Sequence, residues 1–84
     1  WNSTPNNDYY NGHEHTDIMY GGEGFDIFHG GDSTDELDGG NQGDTLEGGN
    51  VGDTILGVYG ADALYGKYGN DTIYGGTEDD QLVV

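Results

Sequence analysis

Cysteine is absent from the sequence, and Lys67 is the single basic residue among 84. No disulfide can staple such a chain, and no thiolate metal site can form. Against that one lysine stand 17 acidic residues, for a formal charge of −16. Nucleic acid and anionic membrane surfaces are poor partners, because both require a positive patch; cations are the natural partner class. No apolar run approaches the length of a membrane span or a signal-peptide core, so any export signal lies outside this chain or is of another kind. Hydrophobic residues are also scarce, at 31%. Low hydrophobicity with high net charge is the signature of a disordered chain. The length allows one small domain, and its few apolar side chains cannot offset both the ordering of the backbone and the repulsion among carboxylates. An external stabiliser is required.

What is plentiful is glycine, 18 residues, and its placement is periodic. Cut into nines from Gly12, the chain reads GHEHTDIMY, GGEGFDIFH, GGDSTDELD, GGNQGDTLE, GGNVGDTIL, GVYGADALY, GKYGNDTIY and GGTEDDQLV. Glycine opens every block. The sixth position is always aspartate: Asp17, Asp26, Asp35, Asp44, Asp53, Asp62, Asp71 and Asp80. The eighth is always large and apolar: Met19, Phe28, Leu37, Leu46, Ile55, Leu64, Ile73 and Leu82. STPNNDYYN, from Ser3, keeps the register with Asp8 and Tyr10 but has lost its glycines. Residues 1–11 are therefore expected to be a degenerate N-terminal repeat or cap, and residues 12–84 the repeat domain.

Each block divides in two by chemistry. Its first six positions favour turns, and its last three suit a very short strand with one inward side chain. Turn and strand repeating every nine residues predict an all-β solenoid, a coil of two strands and two turns, with each strand parallel to the one 18 residues away. Four to five coils would form a stub about 20 Å long. Phe28, Leu46, Leu64 and Leu82 would then line one sheet, and Met19, Leu37, Ile55 and Ile73 the other. The aspartates fall into two columns along the edges, where they repel unless divalent cations lie between them. Calcium suits this donor set best, since it takes six to eight carboxylate and carbonyl oxygens in a flexible cage. Zinc and copper would ask for nitrogen or sulfur.

GGEGFDIFH fits, and GKYGNDTIY nearly fits, the nonapeptide GGxGxDxUx, so residues 12–83 resemble the RTX (repeats-in-toxin) family of calcium-binding repeats. The resemblance implies a right-handed parallel β-roll holding several calcium ions, up to about seven, between turns of successive coils. It implies aspartate carboxylates bridging neighbouring ions. Further ligands would be the backbone carbonyls of Gly21, Gly22, Glu23, Gly24, Gly30, Gly31, Asp32, Gly39, Gly40, Asn41, Gly48, Gly49, Asn50, Gly57, Tyr59, Gly60, Gly66, Tyr68 and Gly69. Around one ion, Gly21, Glu23 and Asp26 would meet Gly40, Gln42 and Asp44, or the assignment is reversed. The resemblance further implies a secreted or cell-surface bacterial protein, exported unfolded through a type I channel, in which the roll is a structural, secretion-linked module.

Departures from the pattern carry expectations of their own. The fourth position is His15, Ser33, Gln42, Val51 and Glu78 where the family has glycine, so altered turns and weaker ions are expected at Gln42 and Val51. Val58 and Lys67 replace the second glycine, which implies a position that tolerates outward side chains. Glu36, Asp38 and Glu47 read as solvated outer-face acids. His13-Glu14-His15 lacks the spacing of a helical zinc site and reads as a turn. Asn2-Ser3-Thr4 and Asn70-Asp71-Thr72 match a glycosylation sequon, the second being also repeat positions five to seven. Outward tyrosines (Tyr20 and Tyr74 on one sheet, Tyr65 beside His29 on the other, Tyr59 and Tyr68 in turns) leave open an adhesin or polysaccharide-binding module. End rungs could also stack between molecules. Position five shows no regular Thr or Asn array of the kind an ice-binding face needs. No catalytic constellation is visible, so the segment itself reads as no enzyme; a toxin, protease, lipase, epimerase or adhesin could carry it as an appendage.

Overall fold

The computed structural model describes residues 7–78 and 80–83. Among them are nine strands: β1 (Tyr9–Asn11), β2 (Ile18–Tyr20), β3 (Ile27–Gly31), β4 (Glu36–Asp38), β5 (Thr45–Gly49), β6 (Thr54–Leu56), β7 (Ala63–Lys67), β8 (Thr72–Tyr74) and β9 (Gln81–Val83). Successive strands alternate between two sheets, ordered β1-β3-β5-β7-β9 and β2-β4-β6-β8. Every pairing is parallel and joins residues 18 apart, as in Phe28↔Leu46 and Leu37↔Ile55. This is a β-solenoid with one nonapeptide per half-coil. It measures 26 × 24 × 12 Å, and its short dimension is close to the spacing of two packed sheets.

The eighth position supplies the core. Met19, Phe28, Leu37, Leu46, Ile55 and Leu64 are fully buried between the sheets, with Tyr10 and Ile73 partly buried against them. Burying each is worth about 2 kcal/mol. Leu82 departs from expectation: it is 50% exposed. Among the described residues, its strand β9 is paired on one side only, with β7, and no β-strand of the other sheet lies beyond β8. An inward residue is buried only when half-coils lie both opposite and beyond it.

Strand lengths also differ from the uniform three residues expected. β3, β5 and β7 run to five residues, taking in the first two positions of the following block, while the others keep three. Gly31↔Gly49 and Gly49↔Lys67 continue the ladder there. The same nonapeptide thus leaves one sheet through an extended segment and the other directly into a turn.

Candidate metal centres in the turns

The turns stack as regularly as the strands. Backbone N–H groups of position three donate to position-two carbonyls of the coil before, as in Asn41 to Gly22 (2.8 Å), Asn50 to Gly31 (3.0 Å) and Tyr59 to Gly40 (3.0 Å). Position-seven N–H groups likewise donate to aspartate carbonyls, as in Thr54 to Asp35 (2.9 Å). Among the carbonyls expected as ligands, those of Gly22, Gly31, Gly40 and Gly49 each therefore accept one hydrogen bond already. A carbonyl oxygen has a second lone pair, so this does not remove them from a ligand set.

From Gly12 on, position two throughout and position four in every block but that of His15 carry left-handed backbone, with or without glycine. Position two shows φ of 95° at Gly31 and 86° at Gly40, and also 74° at Val58 and 73° at Lys67. Position four shows 97° at Gly60, and also 69° at Gln42 and 71° at Val51. The altered turns expected at Gln42 and Val51 are not found. Stacking against the neighbouring coils holds those residues in the glycine conformation, at the steric cost an L side chain bears there. Position two does hold the side chains of Val58 and Lys67, with Lys67 exposed, but at the same backbone strain.

The aspartates form two columns. In one, the N–H of Asp8, Asp26, Asp44 and Asp62 donates to Oδ1 of the aspartate 18 residues on, at 2.9, 2.8, 2.7 and 2.9 Å. In the other, Asp17, Asp35 and Asp53 do the same at 2.8, 2.7 and 2.8 Å. One carboxylate oxygen is thereby satisfied. Its fellow is not: Oδ2 of Asp26, Asp35, Asp44, Asp53 and Asp62 is buried without a hydrogen-bond partner, as is Oδ2 of Asp17.

The orphaned oxygens point into their own turns. A Cβ placed on Gly30 would lie 2.5 Å from Asp35 Oδ2 and 2.7 Å from the Gly48 carbonyl of the next coil. Glycine at position one is thus required by the approach of two oxygens, one from a carboxyl group and one from the backbone. Burying a carboxylate without a counter-charge is costly, and the group responds by holding its proton. Burial pushes Asp44 up to about 8, and Asp53 and Asp62 up to about 6, against backbone N–H bonds that oppose the rise. Neighbouring carboxylates, Asp26 beside Asp44 and Asp35 beside Asp53, add to it. Asp26 and Asp35 are raised as well, again chiefly by burial.

The alternative to holding a proton is holding a cation, and the donors available decide which. Carboxylate and carbonyl oxygens surround each orphan, without sulfur or imidazole; His13, Glu14 and His15 lie exposed in a turn. No group of three or more acidic or imidazole side chains converges among the described residues, so an ion would draw its remaining ligands from backbone or amide oxygens and water. That donor set fits calcium. Each orphaned Oδ2, together with carbonyls of its own turn and of the turn one coil on, would hold the ion. Asp71 and Asp80, on the last coil, are only half buried.

Glu47 is not the simply solvated acid expected. Its Oε1 lies 3.1 Å from His29 Nδ1 and 3.7 Å from Lys67 Nζ. The same 18-residue rule that pairs strands places His29 beside Glu47, so this contact was present in the sequence. Asp38 is half buried and is pushed above its ordinary value, chiefly by that burial. The glycosylation match at Asn2-Ser3-Thr4 lies outside the described residues.

A parallel roll whose turns carry buried, unpartnered carboxylates defines a metal-binding repeat solenoid. The family model of the RTX calcium-binding nonapeptide repeat, four copies long, matches residues 11–46 and 47–82. The chain belongs to that family, a class of structural calcium-binding modules typical of secreted proteins. No curated protein and no solved structure matches it.

Proposed function

We propose that this chain folds on binding several calcium ions outside the cell and serves as a structural, secretion-linked domain of a larger secreted protein. The observation that carries this reading is the set of six buried, unpartnered Oδ2 atoms. They stand in a chain of charge −16 that has a small core and no disulfide. Calcium, when bound, supplies the positive charge that lets the two aspartate columns stack without mutual repulsion. The protein does the rest: Oδ1 locks each aspartate from Asp26 on to the coil before it, and the glycine at position one leaves room for Oδ2 beside its neighbouring carbonyls. Without calcium the columns repel and the core is too small to compensate. Calcium at extracellular concentrations, on the order of 10⁻³ M, makes binding and folding one event. A chain kept unfolded by low intracellular calcium can pass a narrow type I export channel and be locked outside once folded.

A far-UV circular-dichroism titration tests the reading. We expect a coil spectrum in excess chelator and a cooperative gain of sheet signal with calcium. A sheet spectrum that is already complete in chelator, or that calcium leaves unchanged, overturns it.

A further inference from the structure

Resting on that calcium-folded reading, the distribution of charge over the folded roll carries a second conclusion. The outward positions of the four-stranded sheet include the acids Glu36 and Asp38 with no basic residue among them. The outward positions of the five-stranded sheet include one acid, Glu47. That acid is met on one oxygen by His29 at 3.1 Å and by Lys67 at 3.7 Å. Lys67 is the sole lysine of the chain, which has no arginine, and it sits at φ 73°, a strained conformation that its repeat position elsewhere gives mostly to glycine. In a chain of charge −16, the single lysine thus neutralises the single acid of one face.

The rest of that face carries no charge: Tyr9, Ile27, Ala63, Tyr65 and Val83 stand beside the uncharged polar Asn11, Thr45 and Gln81. Tyr9 is 65% exposed, Ile27 44% and Val83 43%, with Tyr65 half buried between rungs. Tyr9 packs edge-on against His29, ring centroids 5.6 Å apart, which fixes the imidazole over Glu47. Phe25, 58% exposed, continues the apolar surface onto the adjoining turn.

We infer that this outer face of the five-stranded sheet is a self-association surface, and that the calcium-loaded roll pairs through it with a second copy of this chain. A basic partner would be drawn to the acidic turns and the four-stranded face. A copy meeting this face through a two-fold axis presents the same neutral patch, partly apolar, to itself, so no net like charges are brought together. The two long dimensions of the roll, 26 and 24 Å, limit the face, turns included, to about 600 Å² at most. That is somewhat below the roughly 800 Å² each partner contributes to a standard interface, so the dimer should be weak and readily reversible. Ion binding is a precondition, because unneutralised aspartate columns would oppose the approach of two copies.

Sedimentation velocity over a protein series up to about 500 µM, in saturating calcium and in chelator, tests this. We expect a reversible monomer–dimer equilibrium in calcium only. Ile27→Glu and Lys67→Glu should each weaken it about tenfold or more, while Tyr74→Glu on the opposite face leaves it unchanged. Circular dichroism on each sample confirms calcium-dependent folding. A folded wild-type chain that stays monomeric throughout the series overturns the inference and leaves the calcium reading intact. Equal weakening by Tyr74→Glu, or a dimer that Ile27→Glu and Lys67→Glu leave unchanged, overturns the choice of face. A chain that does not fold with calcium overturns the earlier reading instead.

Discussion

The middle of the roll and its last coil are written in the same nonapeptide, yet they are different environments. Leu46 and Ile55 are fully buried and Leu82, at the same repeat position, is half exposed. Asp44 and Asp53 are 2% exposed, each with an oxygen that has no partner, whereas Asp71 and Asp80 are only half buried. The difference teaches that a repeat of this kind has no fixed chemistry of its own. Its core residue and its carboxylate are completed by coils on both sides, so stability and ion binding are nearest-neighbour properties.

The sharpest break of that comparison is a matched pair of truncations. Leu46→Ala should cost about 2–5 kcal/mol of the calcium-bound roll. Leu82→Ala should cost about 1 kcal/mol or less, because little of that side chain is buried. Thermal melts in saturating calcium measure both, and equal losses would mean that the last coil is as well packed as the middle.

Acidity probes the same contrast through charge. Asp44, Asp53 and Asp62 sit above their unfolded value of 3.8, at about 8, 6 and 6. A group raised in the folded state favours folding when protonated; its contribution is fully present below its unfolded value and is lost as pH rises through its folded value. In chelator, acidification from pH 8 towards pH 4 should therefore increase sheet content. With calcium the opposite dependence is expected, since protons and ions compete for the same oxygens and the calcium midpoint should rise as pH falls. Parallel titrations at pH 5 and pH 8 check both signs.

Asp44→Asn and Asp80→Asn divide the columns. Removing the central charge should raise the calcium midpoint of folding about tenfold, equivalent to about 1.4 kcal/mol, while easing the calcium-free chain towards order. The terminal change should do less of each. A smaller effect comes from backbone strain: Val51→Gly, at φ 71°, should stabilise the folded roll by about 1 kcal/mol. Glu78→Gly, near the end, should gain less, because Glu78 Oε2 accepts the Gly60 N–H at 3.1 Å and that bond is lost.

Much of this was legible because the period is unbroken. A nine-residue register with one aspartate and one apolar residue per block dictates two sheets, an 18-residue pairing and two aspartate columns, all of which the structure contains. The five-residue length of β3, β5 and β7 was not legible, since every block opens on glycine, followed by glycine or another residue without regard to sheet, and only the paired backbone shows which openings remain extended. Leu82 was misjudged because periodicity counts it like Leu46 and is silent about what lies beyond it. Val51 and Gln42 were misjudged for the converse reason. Local preference argues against left-handed backbone there, and the stacked turns on either side override it. The contact of His29 with Glu47 could have been found by applying the pairing rule to polar residues as well as apolar ones.

The central claim is that the orphaned aspartate oxygens are calcium ligands. A crystal structure of the calcium-loaded chain tests it most directly, through the anomalous signal of the bound ions. We predict calcium coordinated by Oδ2 of Asp35, Asp44 and Asp53 together with turn carbonyls. A loaded roll in which those oxygens instead bond only to protein donors or water would contradict it.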